Sequence, residues 1–253
     1  MLVYPLKSDL AKPGDSIPKL LSTALVRNRL PLMTRDIVAI SSKVVAISEG
    51  RIRNLDMIRP SREARKLGAK YSLDPSFAQI VMDEADRTLG GVKGALLAIK
   101  DQDAVPNAGV DRKNAPPDSA VLWPRDPDAT AETVRAWIRK TLKKSVGVVI
   151  VDSRVSPLRL GTTGFAIGLS GIQPVEDLRG RSDLSGRRIR ITFRAVADGV
   201  AATAQLVMGE GSEQTPFAVI RGAPVRLNAR SDMQRAKLPW NECLFMSHIM
   251  RSD

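Results

Sequence analysis

Cysteine and histidine are almost absent from this chain, which contains one of each, Cys243 and His248. A single cysteine excludes an internal disulfide, and one Cys with one His cannot form a structural zinc site. Ser-His-Asp and Cys-His catalysis are also disfavoured, because the one imidazole lies in the last segment of the sequence. A metal site in this protein would therefore need oxygen ligands.

Long apolar runs and aromatic residues are scarce as well. No uninterrupted apolar stretch approaches the ~20 residues that span a bilayer, and residues 1–15 lack the apolar run of a signal peptide. Aromatic residues make up 4% of the 253 residues and apolar residues 43%, so we expect a core of Ala, Val, Leu and Ile. The composition predicts a soluble, cytoplasmic protein of one large or two small domains, without membrane association.

Positive charge is abundant, since 39 Lys and Arg against 27 Asp and Glu give a net charge of +12. Such a field attracts polyanions, and nucleic acid is the first candidate. The basic residues are dispersed, however, and no zinc-finger, RRM or KH signature is present. A solvated basic surface without specific nucleic-acid binding is the favoured interpretation, and phosphorylated small molecules would benefit from the same field.

Five short runs rich in β-branched residues predict strands at residues 36–41, 95–99, 146–151, 189–195 and 217–221. The run at 189–195 alternates apolar and basic side chains, as expected for a strand with one face in water. The predicted helices are a segment capped by Ser61 and ending at Leu73, one capped by Asp128 or Thr130 with Val134, Trp137, Ile138 and Leu142 on one stripe, and one over residues 197–208 that ends at Gly209.

Strands and helices interleave without a strict βαβ order, which predicts a mixed α/β or α+β fold. The Pro- and Asp-rich residues 115–128 are interpreted as a loop. It is either a junction between two lobes of a unit over residues 1–225 or a long surface excursion. Residues 226–253 are interpreted as a tail that packs on the core.

Oxygen ligands and glycine are concentrated in residues 107–114, 151–171 and 207–215. No Walker A loop and no G-x-G-x-x-G after a strand occurs, so a nucleotide would be held differently. Asp152 follows the apolar run 146–151, at the strand end where α/β proteins commonly bind ligands. Glu210 lies between two glycines, which let a backbone approach phosphates closely. For any one of these acids alone, a role as a turn or capping residue is the favoured interpretation.

Several segments carry a resemblance to a known family. In chain order they read DIVAISSKVVAISEGRIR, NAGVDRKN, DPDATAETVRAWI, GVVIVDS, GFAIGLSGI with EDLRGRSDLSGR, AVADGVAATAQLVMGEG and AVIRG. The chain resembles the coenzyme F-420-0:gamma-glutamyl ligase family over roughly residues 10–225. The NAGVD motif followed by Asp-Ser and then VMGEG is the most specific part of the match.

The resemblance implies a two-lobed F-420 ligase-like homodimer that binds Mg²⁺ or Mn²⁺ at two sites and uses GTP, with K⁺ as a further candidate ion. Its small-molecule substrates would be a phosphorylated acidic acceptor, a nucleotide and an amino acid. Asp111 and Asp152 would hold one metal ion, Ser153 and Glu210 the second, and the three acids would be the catalytic residues. The residues expected to contact the nucleotide are Ser42, Asn114, Met208, Gly209, Gly211, Ser212, Glu213, Gln214 and Thr215.

The chain departs from the family pattern at several ligand-contacting positions. Ile47 stands where relatives carry a lysine that is expected to face phosphate, and Lys43 is a partial substitute. Asp9 replaces a proline of an N-terminal nucleotide contact, and Arg154 follows the Asp-Ser pair where relatives have Asn or Phe. We therefore expect a divergent ligase whose transfer of L-glutamate to F-420-0 is poor or absent and that acts better on a related acidic acceptor. The alternative is a non-catalytic nucleotide- or polyanion-binding protein.

Overall fold

The computed structural model describes residues 1–250, so the last three residues of the predicted tail lie outside the described part. The strands are β1 (Leu2–Leu6), β2 (Ile37–Ser41), β3 (Ile52–Asn54), β4 (Arg87–Val92), β5 (Ala95–Lys100), β6 (Asp103–Pro106), β7 (Ser119–Val121), β8 (Gly147–Val155), β9 (Thr162–Ile172), β10 (Val175–Asp177), β11 (Phe193–Ala195), β12 (Phe217–Arg221) and β13 (Leu227–Asn228). The helices are α1 (Ile17–Arg27), α2 (Ser42–Ser48), α3 (Arg62–Tyr71), α4 (Pro75–Glu84), α5 (Pro127–Trp137), α6 (Val196–Met208) and α7 (Met246–Ile249).

The largest sheet has the strand order β1-β12-β2-β8-β9-β13. Strands β2 and β8 run parallel, and the other neighbouring pairs are antiparallel. The central strands are buried on both faces, which explains why their sequences are continuous apolar runs rather than alternating ones.

Helices cover both faces of this sheet. Helices α1 and α5 pack on one face through residues such as Leu21 and Val134, and α6 packs on the other through a row of small residues. Gly164 of β9 allows α6 to lie close, since a Cβ there would stand 2.5 Å from the Ala201 carbonyl oxygen. The burial of these two apolar layers is the main stabilising contribution that the sequence makes to the fold.

A second core lies beside the main sheet. Helices α3 and α4 pack with the antiparallel β4-β5-β6 sheet and the β3-β7 pair around Phe77, Ile80, Leu96 and Leu122. Ser61 caps α3 by accepting a hydrogen bond from the Ala64 N–H at 3.1 Å. None of the helices within residues 1–250 is long and apolar enough to cross a membrane.

The predicted mixed α/β class is confirmed, and strands form within or over the runs 36–41, 95–99, 146–151 and 217–221. The helix from Ser61 is also confirmed and ends at Tyr71, two residues early. Helix α6 ends at Gly209 as predicted, with the glycine at φ 74°. The stripe on α5 is confirmed too, because Val134 and Ile138 are buried in one core and a π-helical turn, Ile138–Leu142, extends the helix.

Three predictions were wrong. Only Phe193–Ala195 of the run 189–195 is a strand, and Ile191 is 86% exposed, because no layer packs on this segment. Asp126, not Asp128 or Thr130, caps α5, and Asp128 instead accepts from the Leu169 N–H. The predicted loop 115–128 contains β7, whose residues are buried against β3.

Candidate active site

A cavity of about 920 Å³ opens at the carboxyl ends of the parallel strands β2 and β8. Strand β2 ends at Ser41, opposite Val151, while β8 continues beyond it and carries Asp152 and Ser153 into the cavity wall. The predicted position of Asp152 just after a strand is therefore wrong in detail. It lies inside β8, paired with Phe165 of β9.

The structure brings all the sequence-predicted site residues to this one cavity. They are Ser42, Asp111, Asn114, Asp152, Ser153, Met208, Gly209, Glu210, Gly211, Ser212, Glu213, Gln214 and Thr215. Four segments that are distant in sequence thus meet here. The roles of these residues in binding metal or nucleotide stay predictions.

Asp111 is positioned by a left-handed turn and by a short backbone bridge. Asn107, Ala108 and Gly109 have consecutive φ values of 52°, 51° and 75°, which turn the chain towards the cavity. Asp111 then exchanges two backbone hydrogen bonds with Val121 at the end of β7. Its carboxylate accepts from the Lys113 N–H at 2.8 Å and is 42% exposed.

Asp152 is the most deeply buried of the three acids. The Trp123 indole N–H donates to its Oδ2, and the Ser153 N–H donates to its Oδ1 at 2.7 Å. Burial raises the pKa of this carboxyl to about 6, although both hydrogen bonds act in the opposite direction. A buried carboxylate whose described hydrogen bonds come from neutral N–H groups is electrostatically suited to receive a cation.

Glu210 is held by the glycine-flanked loop after α6. Gly209 adopts φ 74°, and the Gly211 N–H donates to Oε2 of Glu213 at 2.8 Å. The Asn114 side chain donates to the Gly211 carbonyl at 2.8 Å and joins this loop to the Asp111 segment. Burial raises the pKa of Glu210, but hydrogen bonds from Lys113 and Gln205 outweigh it, so the net shift is downward.

Two lysines contact the acids, and sequence reasoning largely missed them. Lys43 Nζ lies 2.5 Å from Asp111 Oδ2 and 2.6 Å from the Lys113 carbonyl oxygen. Lys113 Nζ lies 2.8 Å from Glu210 Oε2. The position of Lys113, two residues after Asp111 in NAGVDRKN, was the available signal. Trp123 gave none, because it lies in a segment that was interpreted as a loop.

The donor set fits a hard divalent cation. The carboxylates of Asp111, Asp152 and Glu210 line one cavity with the Ser153 hydroxyl, and Mg²⁺ and Mn²⁺ prefer such oxygen ligands. Ser153 also contributes to lowering the pKa of Glu210, so the two side chains lie close together. Within residues 1–250 no three His, Cys, Asp or Glu side chains are grouped as a ready metal site.

The positions that depart from the family pattern lie in or near the same cavity. Ile47 lines it from α2, one helical turn after Lys43. Asp9 also lines it and pairs with Arg27 at 2.7 Å. Arg154 points away from the acids to Asp198 of α6, at 2.9 Å, and stacks over the Phe165 ring.

Comparison with known proteins gives a consistent result. The family model described as F420-0:Gamma-glutamyl ligase matches residues 5–222. The coenzyme F420:L-glutamate ligase of Archaeoglobus fulgidus is 37% identical over 224 residues, covering 88% of each chain. The enzyme of the same name from Methanocaldococcus jannaschii is 39% identical over 196 residues, covering 77% of this chain and 78% of its own. The chain therefore belongs to the F420-0:Gamma-glutamyl ligase family.

Proposed function

We propose that this protein is a nucleotide- and divalent-metal-dependent ligase that joins an amino acid, L-glutamate first among the candidates, to the carboxylate of F-420-0 or a related acidic acceptor. GTP is the proposed phosphoryl donor. The observation that carries the proposal is the meeting of Asp111, Asp152, Ser153 and Glu210 in one cavity of about 920 Å³. Family membership and the names of the relatives support the ligase class.

The proposed chemistry solves a specific problem, since a carboxylate does not react with an amine until one of its oxygens becomes part of a leaving group. An acceptor oxygen attacks the γ-phosphorus, and the bond from that phosphorus to the nucleoside diphosphate breaks. The amine nitrogen then attacks the carbonyl carbon of the acyl phosphate. Inorganic phosphate leaves, and the nitrogen loses a proton.

The protein's contribution to these steps is positioning and charge. Metal ions, when bound, neutralise the phosphates and the charge that develops during transfer. Asp111 and Asp152 would hold one ion, and Ser153 with Glu210 the second. The backbone from Met208 to Thr215, fixed by Asn114 and Glu213, would follow the phosphate chain. No imidazole is required for this chemistry.

The alternative is a non-catalytic protein that binds nucleotides or other polyanions through its net charge of +12. The exposed arginines at residues 179–194 favour it, because none of them lines the cavity. That interpretation does not account for three acids directed into one cavity. An anion-binding site would be weakened by carboxylates at its centre.

A substrate panel tests the proposed function. GTP and ATP are crossed with F-420-0, other acidic acceptors and several amino acids in the presence of Mn²⁺, and released nucleoside diphosphate is measured. We expect release that depends on metal, acceptor and amino acid together. Asp152→Asn and Glu210→Gln should each reduce it at least a hundredfold, since each removes a ligand charge while keeping the side-chain volume.

A matched control separates loss of the site from loss of a surface charge. Glu63 is exposed in the first turn of α3, outside the cavity lining, so Glu63→Gln should retain nearly full activity. Equal losses in all three variants, or tight nucleotide binding in excess chelator without turnover, would favour the polyanion-binding alternative.

A further inference from the structure

The lysines around the acids form a definite arrangement that the proposed function does not explain. Lys43 Nζ contacts Asp111 Oδ2 at 2.5 Å, and Lys113 Nζ contacts Glu210 Oε2 at 2.8 Å. The two lysines are also joined to each other, because Lys43 Nζ contacts the carbonyl oxygen of Lys113 at 2.6 Å. Each of the two predicted metal sites therefore contains one carboxylate that is paired with a lysine ammonium group.

An ammonium group and a metal ion compete for such an oxygen. A divalent ion binds carboxylate oxygen at about 2.1 Å, closer than a lysine nitrogen can approach, and it brings its own waters. A metal that takes up Asp111 Oδ2 or Glu210 Oε2 must therefore displace the lysine from that oxygen. The third acid, Asp152, has described hydrogen bonds from Trp123 and Ser153 only.

Both lysines are able to move. The Lys43 side chain is 22% exposed and the Lys113 side chain 49% exposed, so neither is locked in a packed core. A lysine carries three donors on a flexible four-carbon stem and donates to phosphate oxygens as readily as to carboxylates. Lys43 lines the cavity from the first turn of α2 and Lys113 from the segment after Asp111, so both can reach a phosphate bound between them.

We propose that Lys43 and Lys113 are exchangeable counter-cations of this site. Without nucleotide each holds a metal-binding carboxylate, and when metal and nucleotide bind, each transfers to the phosphates while the metal takes its place. The inference rests on the proposed function, because it requires nucleotide and metal in the cavity. Lys43 thereby supplies a phosphate contact one helical turn before Ile47.

Exchange makes metal and nucleotide binding mutually dependent. Metal alone must break two charge-assisted contacts and leave two ammonium groups without anions, so it binds weakly. Nucleotide alone meets three carboxylates and is repelled. When metal and nucleotide bind together, the carboxylates pair with the metal and the lysines pair with the phosphates. The coupling is reciprocal, so metal strengthens nucleotide binding by the same factor as nucleotide strengthens metal binding.

Mn²⁺ binding with and without a nonhydrolysable GTP analogue measures this coupling. Electron paramagnetic resonance counts free Mn²⁺, and the readout is independent of turnover. Lys43→Met and Lys113→Met keep the length of the side chain and remove its charge. We expect each to raise the affinity for Mn²⁺ alone about tenfold and to reduce the Mn²⁺–nucleotide coupling about tenfold. Lys66→Met, on the exposed side of α3, is the control and should change neither value.

The outcomes separate this inference from the proposed function. If the unmodified protein binds neither Mn²⁺ nor nucleotide in combination, the proposed function fails and the inference with it. If it binds both cooperatively but Lys43→Met and Lys113→Met leave Mn²⁺ affinity and coupling unchanged, the inference alone is overturned. A fall in Mn²⁺ affinity together with a lower melting temperature would assign the lysines a structural role and would also overturn it.

Discussion

Asp152 illustrates the conflict between stability and function at the level of a single residue. Its pKa of about 6 lies above the ordinary 3.8, so the folded protein binds a proton more strongly than the unfolded chain between these values. Stability is therefore lost as the pH rises from about 4 to 6, and the full penalty of the ionised carboxylate is present above about 6. A bound cation would remove this penalty.

Asp152→Asn should therefore stabilise the metal-free protein at neutral pH. The amide removes the buried charge but keeps only one acceptor for the Trp123 and Ser153 N–H groups, so we expect a net gain of about 1–2 kcal/mol at pH 7.5. The gain should vanish near pH 4, where the wild-type carboxyl is protonated. Urea unfolding in chelator at both pH values measures it. An unchanged or lower stability of Asp152→Asn at pH 7.5 would mean that the ionised Asp152 carboxylate does not destabilise the fold.

The residue types at the site could be predicted from the sequence, whereas their electrostatic partners could not. Motif positions identified Asp111, Asp152, Ser153 and Glu210, and all four line the cavity. The contacts of Lys43 with Asp111 and of Trp123 with Asp152 join residues that are 68 and 29 positions apart. Such pairs depend on how β7, β8 and α2 converge, which no local pattern specifies.

Helix α2 is the element in which this chain differs most clearly from the expected phosphate contacts. Lys43 and Ile47 are four residues apart and both line the cavity, so they share one face of the helix. Lys43 therefore lies one turn before the position at which the family lysine is expected. Ile47, Val44 and Ile52 contribute apolar side chains to the lining of the cavity.

Ile47→Lys tests whether this difference limits the family reaction. A further ammonium group, on the same face of α2 as Lys43, should strengthen GTP binding about tenfold in the presence of Mn²⁺ and increase glutamyl transfer to F-420-0, which we expect to be poor in the unmodified protein. Repulsion between Lys43 and the new lysine will slightly reduce the gain in GTP affinity. Val26→Lys, at an exposed position of α1, adds the same charge elsewhere as a control. Efficient transfer by the unmodified protein, with no gain from Ile47→Lys, would show that isoleucine in place of the family lysine does not limit the reaction.

The secondary structure was predictable wherever one local pattern was strong enough to decide it. Apolar runs predicted the central strands, and Ser61 and Gly209 marked a helix start and a helix end. The run 189–195 has the alternation of a strand but lacks a layer to bury its apolar face, so most of it is irregular. Only tertiary packing could have shown this, as it could for the short β7 inside a Pro-rich segment.

Exposed apolar side chains in two segments fit the homodimer that the family resemblance implies. Leu158 and Leu160 follow β8, and Leu184 and Ile191 lie between β10 and β11, and all four are more than 80% exposed. Large exposed apolar side chains mark a protein interface when they form one contiguous patch. Burial of these side chains against a second copy would explain why they are exposed in the single chain.

Charged substitutions in these segments should dissociate the dimer. We expect Leu184→Asp combined with Ile191→Asp to convert a dimer of the unmodified protein to a monomer, as measured by size-exclusion chromatography with light scattering. Met57→Asp is the control, because Met57 is 81% exposed and lies outside these segments, in the 3-10 turn Leu55–Met57. A dimer that survives the double substitution, or an unmodified protein that is already monomeric, would exclude this interface.

We propose that an acceptor carboxylate is activated by phosphoryl transfer in the cavity, and an isotope label on that carboxylate tests this proposal. The acceptor that gives the most nucleoside diphosphate is labelled with ¹⁸O in both carboxylate oxygens and incubated with GTP, Mn²⁺ and the amino acid. We predict one ¹⁸O atom in inorganic phosphate for each amide bond formed and none in the nucleoside diphosphate. In Asp152→Asn, both the amide product and the labelled phosphate should be lost. Amide formation without ¹⁸O in phosphate, or nucleoside diphosphate release that does not require the acceptor, would contradict it.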